Sequence, residues 1–169
     1  MVEIGKAFSA VWKKAAIIAV AWTILATVLG WILGLIPGVN IVSGLLFLVL
    51  GLVIPIAVGF ISVKHYTNNS KAEISDGAIT GGLAGLSYGI VGGILAVIIA
   101  IINTVLGVTL GAAMVGAQAP GAAAASAATT GLVGIITIII LVIVGLPLAI
   151  IFSIVLGLIG GIVYSALKK

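Results

Sequence analysis

The sequence predicts an all-α fold, a polytopic membrane helical bundle of four transmembrane helices with both termini cytoplasmic. Three observations predict it. Hydrophobic residues make up 63% of the chain and charged ones 6%, with a mean hydropathy of +1.54, too little charge to cover a soluble domain of 169 residues. The charged residues fall in three short segments: Glu3, Lys6, Lys13 and Lys14; then Lys64, Lys71, Glu73 and Asp76; then Lys168 and Lys169. Between them lie two apolar zones, Ala15 to Val63 and Gly77 to Leu167, each long enough for two crossings at about 20 residues apiece and each with a turn near its centre.

Residues 1–14 read as an interfacial segment, because Ile4, Phe8, Val11, Trp12 and Ala15 share one helical face with Lys6, Lys13 and Lys14 mostly off it. A cleaved secretory signal is disfavoured: the apolar run from Ala15 exceeds the usual core of such signals and continues into a hairpin. Helix 1 is expected at about 15–35. On one helix Trp12 and Trp31 stand about 28 Å apart, which fits the two aromatic belts of a bilayer, with Trp22 midway facing lipid or a neighbouring helix. The turn chemistry of Leu35-Ile36-Pro37-Gly38-Val39-Asn40 leads to helix 2 at about 41–62, where Pro55 predicts a bend near Gly51.

Helix 3 is expected at about 78–110, with Asp76 as its cap. The weakly polar run from Gly111 to Gly131, with Gln118 and Pro120, divides it from helix 4 at about 132–166. Within that run, Gly121 to Thr130 is low complexity and reads as a flexible loop or a short surface helix. Both segments, at about 50 Å if fully helical, exceed a bilayer core of about 30 Å and must tilt, kink or protrude. Pro147, beside Gly145, supplies a kink in helix 4; splitting that helix into two spans would move Lys168 and Lys169 to the other side and is ranked lower. Four crossings gather every Lys on one side, cytoplasmic by the positive-inside rule, with Tyr66 and Tyr164 marking that interface. The sequon Asn68-Asn69-Ser70 falls on the same side.

Small residues recur at intervals of four. Gly77, Gly81, Gly85, Gly89 and Gly93 form one row, and Gly145, Ala149, Ser153, Gly157, Gly161 and Ser165 form another. Such rows let membrane helices bring their backbones together, so helices 3 and 4 are expected to meet along them, or one row to mediate self-association. A row with this step drifts about 40° per rung, which limits contact with one partner to about three rungs. Gly82 and Gly92 are expected to broaden the groove.

The spans hold no Asp, Glu, Lys, Arg or His, the residues that mark ion pathways and proton relays, which argues against an ion-coupled pump. Asn103 is their strongest polar residue, followed by Thr104 and scattered Thr23, Thr27, Ser43, Ser87, Thr137 and Ser153; Asn103 bonds across helices or lines a narrow path. No nucleophile and base pair assembles, and the single histidine, His65, lies between helices 2 and 3, so no catalytic residue is expected. Glu73 and Asp76 with Asn68 or Asn69 lack calcium-loop spacing, Gly81 to Gly85 lacks a P-loop ending, and there is no cysteine. No metal, cofactor or nucleic-acid partner is therefore expected. The expected partners are membrane lipids and either further copies of the chain or a larger membrane complex, in a multi-pass cell-membrane location.

The stretch from Ala57 and Phe60 through Lys71 and Asp76 resembles the start of the preprotein and amino-acid transporter motif of mitochondrial translocase channels. Lys71 stands at that motif's Arg position, Asp76 is displaced by one residue, and Leu83, Ala84 and Tyr88 occupy the closing small-residue and glycine positions. The passage Asp76-Gly77-Ala78, then Gly81-Gly82-Leu83-Ala84-Gly85-Leu86, in an Ile-rich, Lys-ended chain without cysteine, is similar to small four-helix, Gly-rich archaeal membrane proteins of unknown function. That resemblance implies no biochemical activity. The residues support a non-enzymatic structural or accessory membrane protein first, and a passive channel or permease-like protein as the alternative.

Overall fold

A computed structural model of the chain describes residues 4–34, 36, 40–68, 71, 73–118 and 123–168. Helices α1 (Ile4–Gly34), α2 (Asn40–Tyr66), α3 (Ile74–Gln118), α4 (Ala123–Ile140) and α5 (Leu146–Leu167) account for nearly all of them, α4 running into α5 through a π-helical turn at Leu141–Gly145. No strand occurs among the described residues. Four stretches are long and apolar enough to cross a membrane: Ile4–Leu33, Gly44–Tyr66, Ile74–Gly107 and Ala128–Leu167. The fold class is thus the all-α, four-span one.

The helices are longer than the turn chemistry implied, for lack of breakers. α1 starts at Ile4 and passes without interruption through residues 4–14, which contain no proline. α3 starts at Ile74, and the Gly77 amide bonds the Glu73 carbonyl at 2.9 Å. Asp76 therefore lies inside the first turn rather than at the cap, where its charge still favours the positive end of the helix dipole. The low-complexity segment is helical from Ala123, as its alanine content favours. The turn through Pro37 and Gly38, residues Asn69 and Ser70 of the sequon, and Pro120 and Gly121 lie outside the described residues.

Pro147 has no amide to donate and its ring crowds the preceding turn. The widened π turn just before it takes up that strain, with the Leu146 amide bonded to the Leu141 carbonyl five residues back. The helical path through 123–167 accordingly stays continuous.

The chain forms two compact units, Met1–Gly93 with Leu148–Lys169, and Ile94–Pro147. The first contains α1, α2, the opening half of α3 and α5. Its core is made by Val11, Ala15, Ala19, Val58, Ala84 and Tyr88, with Trp22 packed on it and set edge-on to Phe47 at 6.4 Å. On α1 the buried strip is Ala7, Val11, Ala15 and Ala19, whereas Ile4, Phe8 and Trp12 on the neighbouring strip are exposed. Lipid tails are as apolar as Leu, so burying large side chains between helices brings no hydrophobic gain, and close approach through small ones decides which face turns inward.

Hydroxyls in the spans bond their own helix: Thr23 to the Ala19 carbonyl and Thr27 to that of Thr23, both at 2.7 Å, and Ser87 to that of Leu83 at 2.9 Å. The second unit shows the same habit, Thr104 bonding the Ala100 carbonyl and Thr137 that of Val133, both at 2.8 Å. Thr80 and Ser165 differ. Both are fully buried, and neither hydroxyl has a hydrogen-bond partner among the described residues.

A buried hydroxyl without a partner is destabilising relative to an apolar group of the same shape. Thr80→Val is expected to stabilise the protein by about 1 kcal/mol in detergent unfolding; a loss of that size would show that the hydroxyl is hydrogen-bonded in the folded protein.

Candidate functional site

α5 presents small residues on two sides, and each side receives another helix. Toward α3, a Cβ built on Gly81 would overlap the Gly157 carbonyl and stand 2.9 Å from the Gly161 Cα. One on Gly85 would overlap the Ser153 carbonyl, one on Gly77 would overlap the Ser165 hydroxyl, and one on Gly89 would come within 3.0 Å of the Ile150 Cα and the Ser153 Cβ. The relation is reciprocal: a Cβ on Gly157 would lie 2.8 Å from the Gly85 Cα, and one on Gly161 would overlap the Gly77 carbonyl. Residue numbers rise along α3 as they fall along α5, so the two helices run antiparallel.

Four rungs, Gly77 to Gly89, meet α5 rather than three. The drift is still visible, because contact moves from Gly161 and Ser165 at one end to Ile150 beside Ser153 at the other. A period of four exceeds the 3.6 residues of a turn, so rows of this step stay facing only where the helices wrap around each other right-handedly. The same drift turns Ala149 out to the surface, and Gly145, in the π turn, meets only Leu141 of its own helix. Gly93, half-buried, is the last residue of α3 in the first unit. The expectation that Gly82 and Gly92 broaden the groove is corrected: a Cβ on Gly82 would touch only the Ile154 side chain at 4.0 Å, and one on Gly92 would meet nothing within 4 Å. Gly82 lies one residue, about 100°, past the Gly81 contact, and Gly92 lies beyond Gly89, the last rung that meets α5.

The other side of α5 takes α2. A Cβ on Gly59 would overlap the Gly157 carbonyl, and one on Gly160 would overlap the Ile56 carbonyl and stand 3.0 Å from the Phe60 amide nitrogen. Farther along, the Phe60 and Tyr164 rings meet edge-on with centroids 5.2 Å apart. The Thr67 hydroxyl donates to the Val63 carbonyl at 2.9 Å and pairs with the Tyr164 hydroxyl at 3.3 Å. Gly59 and Gly160 belong to no row of four in the sequence. The Gly160-Gly161 doublet was the available signal, since adjacent glycines open two faces of one helix.

At the same end of the unit the charged groups gather. Lys14 of α1 and Lys64, His65 and Asn68 at the end of α2 line a cleft of about 240 Å³, floored by Ile61. Below it an apolar cleft of about 360 Å³ runs between α1 and α2, lined by Ile17, Trp22, Leu25, Ile54 and Val58 among others, and again by Ile61. Asn103 lies in the second unit and is exposed. Among the described residues no three His, Cys, Asp or Glu side chains come close enough together to hold a metal.

A methyl group that lands on backbone finds no rotamer to escape into, so the helices must separate. Gly81→Ala is expected to destabilise the protein by about 2 kcal/mol or more, whereas Gly82→Ala, next to it, is expected to be neutral or stabilising by up to about 1 kcal/mol through helix propensity. Unfolding in mixed detergent micelles measures both, and equal effects would refute the close approach. Compared with protein-family models, curated proteins and solved structures, the chain has no match, so the site rests on its own geometry.

Proposed function

We propose that this chain is a non-enzymatic structural or accessory membrane protein, a bundle fastened by small-residue contacts that works as a homo-oligomer or as a subunit of a larger membrane complex. The observation that carries the reading is the use made of the small and polar residues. Gly77, Gly81, Gly85, Gly89, Gly157, Gly160 and Gly161 are buried in backbone contact. A pore lined by hydroxyls and Asn103 needs them to converge on one internal surface. Instead Thr23, Thr27, Ser87, Thr104 and Thr137 each bond a carbonyl of their own helix, and Asn103 is exposed.

The charged end supports the orientation with both termini in the cytoplasm. The start of α1 and the end of α2 share the Lys14 and Lys64 cleft, and the start of α3 meets the end of α5 at Gly77 and Ser165. Every described lysine near those points thus belongs to one end of the first unit, the end that the positive-inside rule places in the cytoplasm.

Purified protein in liposomes is expected to leave small-solute and ion permeability at the level of protein-free vesicles, while native mass measurement finds more than one chain or a co-purifying subunit. Flux that scales with protein content would favour the passive channel, and a solitary monomer would refute the assembly role.

A further inference from the structure

We propose that the groove between α1 and α2 binds one anionic phospholipid, its phosphate among Lys14, Lys64, His65 and Asn68 and an acyl chain along the apolar cleft below. The two clefts adjoin at Ile61, which lines both. Lys14 to Leu25 on α1 spans about 16 Å and Ile54 to Lys64 on α2 about 15 Å, half of a hydrocarbon core of about 30 Å and so the depth of one leaflet. Head and tail chemistry are therefore stacked in the order and at the length that a single lipid presents.

Charge complementarity selects an anionic lipid. Lys14 and Lys64 face one cleft, and among the described residues that line it there is no carboxylate. Two ammonium groups brought together without a counter-charge repel, and a phosphate between them removes the repulsion; basic pockets between membrane helices bind lipid headgroups in this way. Asn68 takes a left-handed φ of 50°, which Asn tolerates, and its amide bonds the His65 carbonyl at 3.1 Å, folding the residue back over the last turn of α2. The negative end of the α2 dipole, about half a charge, opposes an anion there, and two full ammonium charges outweigh it. The tail half is apolar and open on one side, as a chain entering from the bilayer requires.

This site is separate from the α5 contacts, so it stands whether or not the assembly reading holds. Native mass spectrometry of the full chain, titrated with equal amounts of phosphatidylglycerol and phosphatidylcholine, tests it. One phosphatidylglycerol is expected to bind preferentially. The Lys14→Gln, Lys64→Gln double variant is expected to keep its helical circular dichroism and lose that preference by about tenfold or more. Ala21→Trp, which fills the groove from its exposed wall, is expected to reduce occupancy by both lipids. Excess glycerol phosphate is expected to leave the lipid bound. An undiminished preference in the double variant would overturn the proposal, as would displacement by glycerol phosphate, which would mark a free-phosphate site. Occupancy untouched by Ala21→Trp, or a protein partner in place of lipid, would overturn it too.

Discussion

Gly157 touches a helix on each side: its carbonyl lies where a Cβ of Gly59 or Gly81 would go, and its own missing Cβ leaves room for Gly85. In water such closeness would be one arrangement among many, since burying Leu or Ile would reward a looser bundle equally well. In hydrocarbon that reward is absent, and helices associate through dispersion and polar contacts that act only at short range. The backbone contacts of α5 are therefore what the first unit is built around. The outward turn of Ile4, Phe8 and Trp12, the inward strip of Ala7, Ala15 and Ala19, and the Phe60 and Tyr164 ring contact all follow from bringing thin faces together and leaving thick ones to lipid.

Close packing of α5 with α2 and α3 also fixes where the polar groups go. Hydroxyls that would be stranded bond carbonyls of their own turn, and Lys14 and Lys64 share a cleft at one end of the first unit, beside the apolar side chain of Ile61. α1 does not close on α2 along its whole length. Between them Trp22 and Ile61 frame an open apolar groove topped by Lys14 and Lys64, which is why the proposed lipid site falls there rather than at the glycine contacts.

The four spans were legible because their cause is composition: charge-free runs of the needed length have no other stable home. The two rows of small residues were legible because four-residue spacing is a property of the chain itself. Their partners were less so. Which glycines are covered depends on the angle each helix presents to its neighbours, so the spacing alone does not tell that Gly82 and Gly92 leave the groove no wider, and Gly59 and Gly160 had no row to announce them. Helix ends were misread for a related reason. Asp76 reads as a cap and the alanine-rich segment after Gly121 as a loop or a short surface helix, yet α3 begins two residues before Asp76 and α4 begins inside that segment at Ala123, since neither stretch breaks a helix. The cleft at Lys14 brings together residues far apart in sequence, and no local pattern links them.

The antiparallel contact of α3 with α5 inside one chain is the claim on which the rest stands, and the absence of native cysteine makes it directly measurable. Gly82 and Ile154 flank the seam, and the Ile154 Cγ2 is the one atom that a Cβ on Gly82 would meet, at 4.0 Å, so cysteines at these two positions are neighbours across it. Mild oxidation of the Gly82→Cys, Ile154→Cys variant in membranes should give a fast intramolecular disulfide, seen as a mobility shift of the monomer. Cross-linked dimers in its place, or no disulfide at all, would contradict the account.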